Sequence, residues 1–343
     1  MTPLRAPRSD GQASVGAPRS AAESRVRASI AVPAAFSDAG ALVGLVLVAL
    51  LFGFLIGPQF FSPVNLELMA RQTAIVCVAA LGMTMVIVAG GIDLSVGSVI
   101  ALGTVVTAMF LRDGSWPLVA AAGAVCAGAV CGLMNGALVT GLRVVPFIIT
   151  LGTMLLIRGA AKGLADERRL EAPITWLNGL LRSVRGGSGF LPWGIWIVIV
   201  LAVLVAVTLH YTRFGRHLFA IGSNERTARL CGVQVERCKI AVYMLAGAFA
   251  GLAGVLEFSR LSVGDPTVAI GAELGVIAAV IIGGGSLSGG KGTVVGTIAG
   301  AGIMTVIQIG CSQHGLPNWV QEIVTGTIIV FAVALDHLRT RRP

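Results

Sequence analysis

Residues 192–209 read PWGIWIVIVLAVLVAVTL, without one charged side chain. A helix needs about 20 mainly apolar residues to cross the hydrocarbon core of a bilayer, and this run has that length. Similar runs recur along the chain, which divides on the same ruler into about ten spans: 39–57, 72–90, 94–111, 117–141, 144–163, 192–209, 239–256, 272–283, 293–310 and 319–336. The expected fold is an all-α polytopic membrane protein with about ten transmembrane helices across residues 39–338. A disordered tail over 1–38 precedes them and a short tail over 339–343 follows.

Composition points the same way. Of 343 residues, 55% are hydrophobic and only 12% charged, against about 25% charged in ordinary soluble domains. The 46 glycines suit helices that approach backbone to backbone. A net charge of +9 would raise nucleic acid as a partner for a soluble protein. Here most Lys and Arg stand between apolar runs, where they set membrane orientation, so lipid is the expected environment and no nucleic acid is expected. Ten spans put both termini on one side, and the positive bias of the tails and of Arg213, Arg216, Arg226, Arg229 and Lys291 makes that side cytoplasmic. The exceptions, Arg168, Arg169, Arg182 and Arg185, share an outer loop with Asp166, Glu167 and Glu171 and are nearly balanced. The six cysteines show no CxxC spacing and read as small packing residues. The four histidines fall at span ends or in loops. No metal site and no catalytic constellation is expected.

An internal repeat emerges when residues 79–104 are laid over 272–297 at an offset of 193. Leu81, Gly82, Gly90, Gly91, Leu94, Ser95, Gly97 and Gly103 all find their like. The two copies lie six spans apart, so the expected repeat is parallel, with a substrate path at its interface.

Three stretches carry candidate chemistry. In GGIDLSVGS, residues 90–98, a helix breaks at paired glycines and restarts with Asp93 or Ser95 as N-cap. A carboxylate and a hydroxyl at such a break also suit a wet pathway, since an unpaired charge in hydrocarbon costs about 2.5–3.5 kcal/mol on insertion scales. Asn135 and Gln308, polar groups inside apolar spans, are candidates for the same pathway. In GSLSGGKG, residues 285–292, a P-loop is nearly spelled, but Gly292 stands where Ser or Thr must hold magnesium and no strand precedes it. The chain therefore binds no nucleotide there. Residues 210–238 are a connecting segment in which Asn224 is a good N-cap, Glu225 suits the positive helix end and Gly232 the C′ position, giving a short helix over about 225–231.

These residues resemble a known family. GGIDLSVGS, the stretch from Gly215 to Gly232 followed by LAGAFAGLAG at 245–254, and AVIIGGGSL at 279–287 are similar to the ribose-type sugar permeases of bacterial ATP-binding cassette importers, over the chain from about residue 40. The resemblance implies a multi-pass protein of the bacterial inner membrane, a second permease copy, a periplasmic sugar-binding protein, and separate cytoplasmic ATPase subunits that bind the ATP, leaving this chain with no cofactor and no enzyme activity of its own. It also implies that Gly215, Gly222, Asn224, Glu225, Ala228 and Gly232 belong to the segment that couples to the ATPase. The competing readings are a secondary transporter or channel and an intramembrane enzyme. A coupled carrier is expected to hold ionisable groups mid-span, whereas Arg71, Arg158, Glu257, Glu273 and Glu322 read as lying near outer span ends. An enzyme needs converging reactive groups, and none converge.

Overall fold

The computed structural model describes residues 34–181 and 192–340. Six helices lead the chain: α1 (Ala34–Ile56), α2 (Pro63–Val88), α3 (Val96–Arg112), α4 (Pro117–Leu142), α5 (Pro146–Leu164) and α6 (Trp193–Tyr211). Two short ones, α7 (Arg213–Ser223) and α8 (Glu225–Leu230), precede α9 (Val235–Leu261), α10 (Ala272–Ile282), α11 (Val294–Gln313) and α12 (Asn318–Thr340). Seven of the described helices are long and apolar enough to cross a membrane, while α3, α10 and the Asn318–Ala334 stretch of α12 are shorter apolar segments. The fold is all-α and polytopic. α1 starts inside the stretch expected to be tail. The rest of that tail, the last three residues, and Arg182 and Arg185 lie outside the described residues.

Two departures from expectation have plain causes. α2 starts nine residues before the expected span, because Pro63 sits at its first position, where a missing N–H costs nothing. Glu67 and Arg71 interrupt the apolar window there and hid that first stretch, so Arg71 lies eight residues inside a helix and not at its end. The second departure is a ladder of two residues a side, β1 (Leu170–Glu171) antiparallel to β2 (Val263–Gly264), among the described residues. Two residues are too few to show a strand period.

The buried helices α2, α3, α9 and α11 form the centre. Around them, α1, α5 and α6 turn large apolar side chains outward, among them Leu47, Phe54, Leu155, Leu156 and Val203. In water such faces would be association surfaces, and in lipid they meet their solvent. α4 crosses α9 on glycines: an added Cβ at Gly132 would overlap the Tyr243 carbonyl, and one at Gly251 the Ala124 carbonyl. Small residues spaced by four let these backbones touch, which is how helices gain packing energy where no hydrophobic force acts.

Two helix ends meet at the end of the bundle that carries α7 and α8. α2 stops at Gly90 (φ 76°) and α10 at Gly284 (φ 92°), both in the left-handed region that favours glycine. In each turn the following N–H reaches back five residues: Gly91 to Val86 O and Gly285 to Val280 O, both at 2.9 Å, the Schellman pattern. Gly290 N–H donates to Val88 O at 2.9 Å and ties the two turns together.

Candidate functional site

After Gly91 the chain turns back into the bundle. Thr150 Oγ1 donates to Ile92 O at 3.3 Å and Tyr243 Oη at 3.2 Å. Thr150 lies four residues into α5 and Tyr243 eight residues into α9. At 1.5 Å per residue, Ile92 is therefore about 6–12 Å inside those helix ends. Asp93 follows, 4% exposed, with Ser95 and Asn135 fully buried beside it. Asp93 Oδ1 accepts from Ser95 N–H at 2.9 Å, from Ser95 Oγ at 2.7 Å and from Asn135 Nδ2 at 3.3 Å. Asn135 Nδ2 also donates to Ser95 Oγ at 2.8 Å.

Sequence reasoning thus named three residues that the fold brings together, but the geometry differs from a simple cap. Ser95 occupies the N-cap position of α3 in helical conformation and makes no side-chain cap bond. Asp93 accepts from the residue two places on, an Asx turn, because the chain must climb before α3 begins. The trio ties the α2–α3 break to α4. Gln308 is elsewhere, exposed on α11. Thr150 and Tyr243 were missed. Their signal was a lone hydroxyl on an apolar helix face, which is most often bonded within its own helix.

Asn135→Ala removes the donor that joins Asp93 to α4 and leaves a buried carboxylate short of a partner. Such a loss costs about 1–3 kcal/mol. Thermal unfolding in detergent is expected to fall clearly below wild type, and an unchanged midpoint would show that the bond holds nothing.

The connecting segment is more ordered than expected. α7 was not foreseen. Thr212 opens it by accepting from Gly215 N–H at 3.1 Å, and it buries Gly215, Leu218 and Ile221 while Arg213 and Arg216 face outward. Asn224 caps α8, accepting from Thr227 N–H at 3.0 Å. Gly232 closes it with φ 83°. Lys239 Nζ donates to Glu225 at 2.7 Å, Arg229 reaches Glu225 at 3.3 Å, and Arg229 also pairs with Glu236. The Lys239 hydrogen bond, aided by Arg229, holds the Glu225 carboxyl below the usual carboxylate range. Ala228, expected on a docking face, is 4% exposed and belongs to the core, whereas Leu230 is 88% exposed. Sequence spacing alone did not say which side of so short a helix faces in.

Gly222, at the end of α7, sits on both glycine turns. An added Cβ there would overlap Val88 O and Gly290 N, the acceptor and donor of the bond that joins them. The other expected site glycine, Gly215, packs against the carbonyls of Thr208 and Leu209 at the end of α6. This arrangement is a knob of two short helices seated on two helix breaks.

Residues 65–333 match the family described as branched-chain amino acid transport system / permease component. The ribose import permease protein of Escherichia coli K12 is 40% identical over 294 residues, 85% of this chain and 91% of that protein. The ribose import permease protein of Bacillus subtilis 168 is 38% identical over 304 residues, 88% and 93% of the two chains. The galactose/methyl galactoside import permease protein of Escherichia coli K12 is 35% identical over 320 residues, 88% and 95%. No solved structure matches the chain.

Proposed function

Because the chain belongs to this family of transport-system permease components, we propose that it is the membrane-spanning permease subunit of an ATP-binding cassette importer and that its cargo is a monosaccharide or related polyol. The relatives that cover most of its length carry sugar-import names. The observation that carries the reading is the α7–α8 pair: an ordered, capped and ion-paired helical knob on a chain whose one near-P-loop lacks the magnesium-binding hydroxyl. Such a knob suits docking to separate ATPase subunits. A periplasmic binding protein would deliver cargo at the opposite end, and a second permease copy would complete the pathway. Gln308, exposed on α11, suits a pathway shared with that copy. The buried Asp93, Ser95 and Asn135 suit its wall.

In this reading ten spans cross the inner membrane, with α3, α10 and α12 as the short ones and both termini cytoplasmic. The internal repeat gains support from the matching turns at Gly90 and Gly284, which stand one residue off the offset of the sequence match. The test is reconstitution: with the ATPase, binding protein and ATP, proteoliposomes should take up D-ribose, D-fructose or D-galactose. Uptake by the purified chain alone would favour a secondary transporter instead. Topology is tested with Ser223→Cys, exposed at the end of α7, in a background without native cysteines. An impermeant maleimide should not label it in intact cells but should after permeabilisation, and ready labelling from outside would reverse the orientation.

A further inference from the structure

Arg158 stands six residues before the end of α5, about 9 Å inside the helix terminus. A guanidinium at such depth persists only with partners. Its partners are backbone carbonyls: Nη1 donates to Pro266 O at 3.1 Å and to Val268 O at 2.6 Å, and Nη2 to Ala269 O at 3.5 Å. These carbonyls belong to the non-helical stretch 265–271 between β2 and α10, and non-helical backbone within a membrane must be satisfied by protein.

That stretch descends along α3. Gly264 packs against Thr104 and Ala108. Asp265 N–H donates to Thr104 Oγ1 at 3.0 Å, and Thr104 Oγ1 donates to Asp265 O at 3.2 Å. Further down, Ala269 O lies against Gly97, where an added Cβ would stand 2.5 Å from it. Positive φ at Ala269 (58°) and Gly271 (79°) turns the chain into α10. Glu273, in the first turn of α10, then comes against Gly97 at the start of α3. The N-terminal ends of two shortened helices thus meet inside the bundle, one reached from each end of it. Glu273 Oε2 is buried there with no hydrogen-bond partner among the described residues. At the rim, Arg169 also holds Asp265 at 2.9 Å, but its side chain is 73% exposed, so water screens that contact.

We propose that Arg158 is a positioning residue for transport: it grips three carbonyls of the 265–271 stretch and so fixes the junction of α3 with α10. The word transport rests on the permease reading; the grip does not. The test uses wild type, Arg158→Gln, the charge-balanced pair Arg158→Gln/Glu273→Gln, and Arg158→Lys, each in nanodiscs with the partner subunits. The pair removes the stranded carboxylate that could make the single variant misfold. Amide exchange across 265–271 is expected to rise about tenfold in the pair, with α4 and α9 unchanged, as the loss of one hydrogen-bonded anchor predicts. D-ribose uptake should lose maximal rate with an unchanged half-saturating concentration, and Arg158→Lys should recover part of it. Unchanged exchange, wild-type uptake, or failure of the pair to insert would each overturn the proposal. Should wild type take up none of ribose, fructose and galactose, the cargo reading fails, and the exchange result alone decides the grip.

Discussion

A Leu230→Glu variant is expected to reach the membrane in normal amount and to arrive without its ATPase. Leu230 ends α8 with 88% of its surface exposed, beside exposed Cys231 and Gly232. A scattered surface leucine needs no explanation, but this one crowns a helix that three ion pairs and two caps hold in place. Interfaces draw their energy from a few desolvated anchors, worth about 2 kcal/mol or more each, and a carboxylate at such a point loses the contact and adds an unpaired charge. Co-purification in detergent should fail, and uptake and substrate-stimulated ATP hydrolysis should vanish together. Arg226→Glu, exposed on the same helix, is the control expected to weaken binding less. Ala228→Glu is predicted to act differently: it would bury a charge in the core and cut membrane abundance itself. Retention of the ATPase by Leu230→Glu would mean that α8 is not its docking face.

How much of this was legible without coordinates depended on the range of the physics involved. The apolar runs of α1, α4, α5 and α6 announce membrane helices because length and hydropathy are local properties. The α8 helix was legible from Asn224 and Gly232, whose cap roles need only their neighbours. Asp93, Ser95 and Asn135 were flagged as polar groups in apolar surroundings. That they bond one another across 40 and 42 residues depends on how α3 and α4 pack, which no local pattern encodes. The depth of Glu273 escaped for a related reason. The hydropathy ruler assumes straight spans, and the 265–271 stretch breaks that assumption by entering the bundle as a series of turns. Pairing of a guanidinium with carbonyls leaves no mark in composition, since carbonyls belong to every residue.

Gly222→Ala is expected to leave the ATPase bound and to uncouple its ATP hydrolysis from transport. Its added methyl has nowhere to go: it would overlap Val88 O and Gly290 N, between which the α2 and α10 turns share their bond. From the other side, a Cβ at Gly289 would stand 2.7 Å from Gly222 O, so the contact is backbone to backbone and cannot yield by a rotamer change. Overpacking of this kind costs about 1–3 kcal/mol, which is about five- to 160-fold in the population of the seated arrangement. The docking surface proposed at Leu230 lies beyond Asn224, on the following helix, and is not touched. Movement of α7 and α8 by the ATPase would ordinarily reach both helix breaks at once through Gly222, because close-packed interiors transmit displacement. With α7 lifted off the turns, hydrolysis should continue while uptake per ATP falls about fivefold or more. Ser223→Ala, at the next and exposed position, should behave as wild type. A normal ratio of uptake to hydrolysis in Gly222→Ala would show that force enters the bundle elsewhere. Loss of the ATPase from that variant would place Gly222 in docking and not in transmission.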